Sequence, residues 1–206
     1  MSSAYLHRQL ARFLPCILVP TIYSLICFTV SLIALPNATS TCFAQQIQEF
    51  KTEAGFRSLF NRRDLQGWQG AVEGYFVENG ELVCKQGAGG VLYTAEEFSD
   101  FEACLEFLLP PGGNNGLAIR YPGTGRASVD AMCEIQILDD EAEKYNTLDP
   151  RQYTGSVYGM IAAQRGHLKP VGDWNDMRVV VRGSTIIVHL NGTEILNGDV
   201  AKVTEF

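Results

Sequence analysis

Apolar and polar residues alternate along most of this chain in short runs, and Gly, Asn and Pro separate the runs. Phe101, Ala103, Leu105 and Phe107 fall on one side of a predicted strand, with Glu102, Cys104 and Glu106 on the other. That is the two-residue period of a pleated ribbon with one face buried. Leu117, Ile119 and Tyr121 likewise oppose Ala118 and Arg120, and Ala131, Cys133, Ile135 and Ile137 oppose Met132, Glu134 and Gln136. Three hairpins are predicted. Asn79-Gly80 joins Tyr75–Glu78 to Glu81–Cys84, Gly183-Ser184 joins Met177–Arg182 to Thr185–Leu190, and Asn191-Gly192 leads into Thr193–Leu196. Asn-Gly supplies the positive φ angles that a tight hairpin turn requires. No segment sustains a 3.6-residue period, and Glu141–Tyr145 makes at most one helical turn. No repeat of fixed period is present, which argues against a propeller. The expectation is an all-β sandwich or barrel.

The pattern changes before residue 45. His7, Arg8 and Arg12 precede an almost wholly apolar run from Phe13 to Leu35, and Cys42-Phe43-Ala44 puts small residues at the −3 and −1 positions before Gln45. This is the layout of a secretory leader. The alternative is an uncleaved membrane anchor, since a span needs roughly 20 apolar residues. The expected organisation is a signal peptide over 1–44, a polar spacer over 45–52 and one β domain over 53–206. The expected location is outside the cytoplasm, secreted or periplasmic, with membrane contact only through an uncleaved leader.

Charge sharpens this picture. All 23 acidic residues lie after residue 44, against 14 of the 16 Lys and Arg, so the domain carries about −9. With no basic run, nucleic acid and anionic lipid are poor partners. Three of the six cysteines follow the leader, Cys84, Cys104 and Cys133, each in an apolar run. They have no zinc spacing; the alternatives are one disulfide with one free thiol or, preferred, three small buried hydrophobes.

Candidate chemistry concentrates at Glu134-Ile135-Gln136-Ile137-Leu138-Asp139. Alternation places Glu134 and Gln136 side by side off the core face. A carboxylate beside an amide can move a proton while the amide fixes a hydroxyl. The same spacing also fits a plain solvent face. Asp139 has the opposite parity, and only a bulge would bring it round. Arg120 shares a face with Ala118 and would reach Glu134 if the two strands are neighbours; otherwise it makes a surface ion pair. Asn114-Asn115-Gly116 is either a ligand loop or a turn. Tyr158 and Trp174 could stack on sugar rings, although Trp174 before a strand also reads as core. Lys169, held extended by Pro170, reaches a cleft or solvent. His189 lies opposite Ile186, Val188 and Leu190. No GxSxG, HExxH, P-loop or GxGxxG is present.

Taken in order, Phe56-x-x-Leu59-Phe60-Asn61-x-x-Asp64-Leu65-x-Gly67-Trp68, Asn114-x-Gly116-Leu117-x-x-Arg120, Glu134-x-Gln136-x-x-Asp139, Thr154-Gly155-x-x-Tyr158, Lys169-Pro170-x-Gly172-x-Trp174-Asn175 and His189-Leu190-Asn191-Gly192 resemble the 3-keto-disaccharide hydrolase family. The resemblance covers about residues 55–200. It implies a concanavalin A-like jelly-roll sandwich of two antiparallel sheets. Family members continue past the Leu-Asn-Gly hairpin to a closing strand rich in Phe-Arg-Asn, so the expectation includes a jelly roll lacking its last strand, with an unpaired edge. The implied activity is cleavage of 3-keto-glycosides. A base removes the C2 proton next to the ketone, the C1 substituent is eliminated, and water adds back. The resemblance implies Glu134 as base or acid and Arg120 or Lys169 as enolate stabiliser. It further implies Gln136, Asn114 and Tyr158 as hydroxyl ligands. A divalent metal would draw on Glu134, Asp139 and His189. Two other readings stay open. Glu-x-Gln-x-x-Asp is similar to the Glu-x-Asp-x-x-Glu strand of laminarinase-type glucanases, but Glu134 and Asp139 would stand roughly 13 Å apart at ~3.3 Å per residue, too far for a two-carboxylate pair. A carbohydrate-binding module would use the same face without an acid.

Overall fold

The computed structural model describes residues 55–88 and 90–204, together with the backbone of two short strands, β1 (Gln9–Ala11) and β2 (Cys16–Ile17). The spacer over 45–52 and most of the leader lie outside the described residues. Both of those lie in the leader; the domain itself holds β3 (Trp68–Gly70), β4 (Tyr75–Glu78), β5 (Glu81–Cys84), β6 (Leu92–Thr94), β7 (Phe101–Phe107), β8 (Asn114–Ile119), β9 (Cys133–Leu138), β10 (Asn175–Arg182), β11 (Thr185–Leu190) and β12 (Thr193–Asp199). The one α-helix among the described residues is a single turn, Ala127–Asp130. No described helix is long and apolar enough to cross a membrane.

All pairings are antiparallel. The largest sheet runs β12-β11-β10-β7-β2, the pair β8-β9 packs against it, and the other strands form the pair β3-β6 and the set β1-β5-β4. The predicted all-β sandwich is therefore present. Its core forms where the inward faces of the layers meet. Leu105, Phe107, Met177, Val179, Val181, Ile186, Val188 and Leu190 come from the large sheet, and Ile119, Cys133, Ile135 and Ile137 from β8-β9. Those from β7, β8, β9 and β11 are the residues that alternation assigned to the apolar faces, and Met177, Val179 and Val181 show the same two-residue period on β10. The hairpins also stand as expected. Asn79 and Gly80 have φ of 54° and 76°, and Asn191 and Gly192 have 51° and 83°, the two consecutive positive values of a type I′ turn.

Several of the recognised motif residues hold loops. The Asn61 side chain accepts from the backbone N–H of Arg63 and Asp64 and donates to the Asp64 carboxylate. Trp68 Nε1 donates to the Leu59 carbonyl at 3.0 Å, pinning the start of the domain to β3. Buried Asn175 accepts from the Lys169 N–H and from the Asn191 amide, which also donates to the His167 carbonyl. The two Asn positions of the last motifs are thus one network that ties two loops together. No disulfide joins Cys84, Cys104 and Cys133. Only Cys133 is the fully buried hydrophobe expected of all three, Cys84 and Cys104 being half-buried; burial pushes the Cys133 thiol up to about 12, which makes it inert.

Candidate functional site

A cavity of about 1160 Å³ opens between β8-β9, the β3-β6 pair and β7. Small-molecule pockets usually span roughly 300–1,000 Å³, so this one has room for a disaccharide. Glu134, Asn114, Gly116, Arg120, Tyr93 and Tyr121 are among the residues that line it.

Glu134 lies on β9 directly opposite Ala118 of β8, and Gln136 lies opposite Gly116. The sequence parity therefore holds: Glu134 and Gln136 share the face turned away from the core. The Glu134 side chain folds back across Gly116. A Cβ built on Gly116 would stand 2.1 Å from Glu134 Oε1 and 2.6 Å from its Cγ and Cδ. Only a residue without a side chain leaves room for the carboxylate in that position. Glycine inside a strand often marks such a close approach. Half-buried there, the carboxyl is pushed above the usual carboxylate range by loss of water.

Gln136 lines up beside Glu134 but does not reach the cavity. The segment 153–158 runs along β9. Ser156 accepts from the Gln136 N–H, Gly155 donates to the Gln136 carbonyl, and Tyr158 donates to the Glu134 carbonyl. Under that cover Gln136 is 4 % exposed, and its amide donates to the Gln152 carbonyl. Tyr158 is absent from the cavity wall; its hydroxyl accepts from the Gln152 amide at 2.7 Å. Of these two expected hydroxyl ligands, Gln136 is therefore held beneath the covering loop and Tyr158 belongs to it. Of the three, Asn114 alone is exposed on the cavity.

The two expected cations are committed elsewhere. Arg120 directly follows β8 with a φ of 53°, which breaks the alternation and turns its guanidinium toward the neighbouring loops. It donates to the Ser99 carbonyl through Nε and Nη2, and to the Gly183 carbonyl at 2.9 Å, and it pairs with Asp100 at 3.2 Å. Arg120 borders the cavity as a clamp between loops. Lys169 lies outside the cavity wall. Its Nζ donates to the Trp174 carbonyl at 2.8 Å, so the ammonium closes its own loop.

The expected metal ligands do not converge. Asp139 is buried and accepts from the Gly112 N–H at 2.7 Å; its odd parity carried it off the Glu134 face, as a strand without a bulge requires. His189 stands on the outer side of the large sheet, opposite Arg178, with Nε2 3.8 Å from Glu194. Its alternation with Val188 and Leu190 turns it out of the sandwich altogether, so the polar face of that sheet is not the cavity. No group of three His, Cys, Asp or Glu able to hold a metal ion exists among the described residues. The Glu134–Asp139 carboxylate pair of a glucanase is likewise not formed at the cavity.

Sequence reasoning overlooked Gly116 as a space-maker and Tyr93 and Tyr121 as wall residues. A glycine between Asn115 and Leu117 in an otherwise regular strand was the available signal. Tyr121 was assigned to the core face by alternation, which the left-handed Arg120 interrupts.

With this geometry in place, the comparisons fix the class. Residues 55–205 match the model of the 3-keto-alpha-glucoside-1,2-lyase-like domain, and the chain belongs to that family. A 3-keto-disaccharide hydrolase of Bacteroides thetaiotaomicron is 26% identical over 167 residues, 69% of this chain. The chain spans 58% of the length of that relative. A candidate glycosyl hydrolase from Parabacteroides distasonis superposes with a TM-score of 0.61 at 30% identity, covering 66% of this chain and 68% of that one. A second one from the same organism gives 0.59 at 23% identity over 69% and 72%, which speaks to the fold.

Proposed function

We propose that this protein cleaves glycosidic bonds of 3-keto-glycosides, with Glu134 as the proton-transferring group. The observation that carries the reading is a single half-buried carboxylate, raised by burial, folded against Gly116 in a cavity of disaccharide size. A raised carboxyl is suited to taking a carbon-bound proton near neutral pH. The C3 ketone acidifies the C2 proton. Glu134 takes that proton and the electron pair becomes the enolate on O3. The ketone then re-forms as the C1 to C2 double bond is made, and the C1 oxygen leaves with the bond pair and a proton. Addition of water, with hydroxyl to C1 and a proton to C2, completes hydrolysis. Stopping before that addition gives a lyase, which accounts for the two names carried by the family description and the relative. Asn114, exposed at the cavity, is the available hydroxyl ligand.

The test is sugar release from a 3-keto-disaccharide beside its unoxidised parent, with and without a chelator, on protein shown to melt cooperatively. Release from the keto sugar alone is expected. Release from both at equal rates, or from neither, would sink the reading; binding without release would favour a carbohydrate-binding module. Loss with chelator would add a metal.

The N-terminal pattern supports export, with cleavage before Gln45. The mature protein is expected to begin there when its N-terminus is sequenced from the extracytoplasmic fraction. An intact His7–Arg12 segment on a membrane-bound product would show an anchor instead.

A further inference from the structure

Tyr93 and Tyr121 face one another across the cavity wall, with ring centroids 5.5 Å apart and planes tilted by 59°. Both line the cavity that holds Glu134. Neither ring is loosely placed. Tyr93 is seated against Gly70, where a Cβ would stand 2.5 Å from its Cε1, and beside Gly123, where a Cβ would stand 3.5 Å from its hydroxyl. Tyr121 is anchored by its hydroxyl, which donates to the Gly125 carbonyl at 2.9 Å. With that polar tip engaged on the protein, what Tyr121 offers a ligand is its apolar ring. Rigid aromatic rings give large contact area at low cost in conformational entropy, and the apolar face of a pyranose is their natural partner.

We propose that Tyr93 and Tyr121 form a stacking subsite for a second, uncharged sugar ring, the one attached at C1 of the ring on which Glu134 acts. The assignment of that second ring rests on the function proposed above. Tyr121 is three residues from Ala118, the strand partner of Glu134, so the Tyr121 and Glu134 Cα atoms lie within ~16 Å, about 11 Å of chain reach and about 5 Å across the ladder. With both side chains lining the same cavity, a disaccharide can touch the two together. The ligand is uncharged because Glu97 and Glu134 line the cavity, while Glu96 is paired with Arg57 and Arg120 is engaged by Ser99, Gly183 and Asp100. A uronate or sugar phosphate would meet net repulsion.

The experiment separates the subsite from the reaction. Calorimetric binding of an unoxidised neutral disaccharide and of the corresponding methyl monosaccharide is measured on wild type, Tyr93→Ala and Tyr121→Leu, each checked for a cooperative melt. Kinetics on a 3-keto-disaccharide and a 3-keto methyl glycoside run alongside. Each variant is expected to bind the disaccharide about tenfold more weakly and the methyl sugar unchanged, with KM rising for the 3-keto-disaccharide alone and kcat within twofold. Equal losses on both ligands, or no loss on either, in a variant that folds would overturn the subsite. Two variants keep the answer available should one fail to fold. An inactive wild type that still shows the selective binding loss would remove the proposed reaction and leave the subsite standing.

Discussion

Exchange of Glu134 for Gln is expected to lower the rate of release from a 3-keto-disaccharide on the order of 10²–10⁴-fold, the usual contribution of a positioned acid or base. Binding of the unoxidised sugar should change little, because the amide keeps the shape of the carboxyl. The pH dependence follows from the direction of the Glu134 shift. Burial raises this carboxyl above its ordinary 4.5, and a base works only when ionised. The acid limb of the rate should therefore lie above the ordinary carboxylate range, with activity lost as pH falls through the raised pKa. Stability moves in the opposite sense. A carboxyl raised by folding favours the folded state below its unfolded pKa, and that contribution is lost as pH rises through the folded one. At neutral pH the Gln variant should thus melt no lower than wild type. A variant that loses activity because it has unfolded would sink the assignment, and so would one that keeps its rate.

Gly116→Ala is the second large effect. Its φ is outside the left-handed region, so alanine suits the strand backbone, and the three atoms nearest the new methyl all belong to the flexible Glu134 side chain. That side chain would swing into the cavity at little cost to folding. Catalysis depends on the position being vacated, and a misplacement of about 1 Å costs roughly 10²-fold. Better hydrated, the carboxyl would titrate lower, so the acid limb should shift down with it. In the Glu134→Gln background the same substitution should cost almost nothing further, because both changes act on one group. Additive losses in that double variant, or an unmoved acid limb, would show that Gly116 matters for a different reason.

The fold was legible because its signals are local. Alternation assigned Leu105, Phe107, Ile119, Ile135 and Val188 to the core, and all are buried. Asn79-Gly80 and Asn191-Gly192 turn as their residue types demand. The parity of Glu134 was equally readable. The environment of its neighbours was not. Gln136 has the same parity, yet a segment nearly twenty residues further along the chain lies over it, and nothing in the alternation of β9 announces that cover. Arg120 escaped for a backbone reason: one left-handed residue at the end of β8 redirected it and Tyr121 together. His189 shows a third limit. Its face was correctly polar, but polarity does not say which of two sheets bounds the cavity.

The Arg120 clamp gives the cavity rim a mechanical character that an ordinary ion pair would lack. Three of its bonds end on main-chain carbonyls, two on Ser99 and one on Gly183, and one ends on the Asp100 carboxylate. The Asp100 carboxylate also accepts from the Gly183 N–H at 2.8 Å, so the end of β8 is riveted to the tip of the β10–β11 hairpin across the two layers. Mobile salt screens charge against charge far more than it weakens a guanidinium fork seated on carbonyls. The rim should hold its dimensions from dilute buffer to brine, and lysine, with its single rounded head, would be a poor replacement for the rivet.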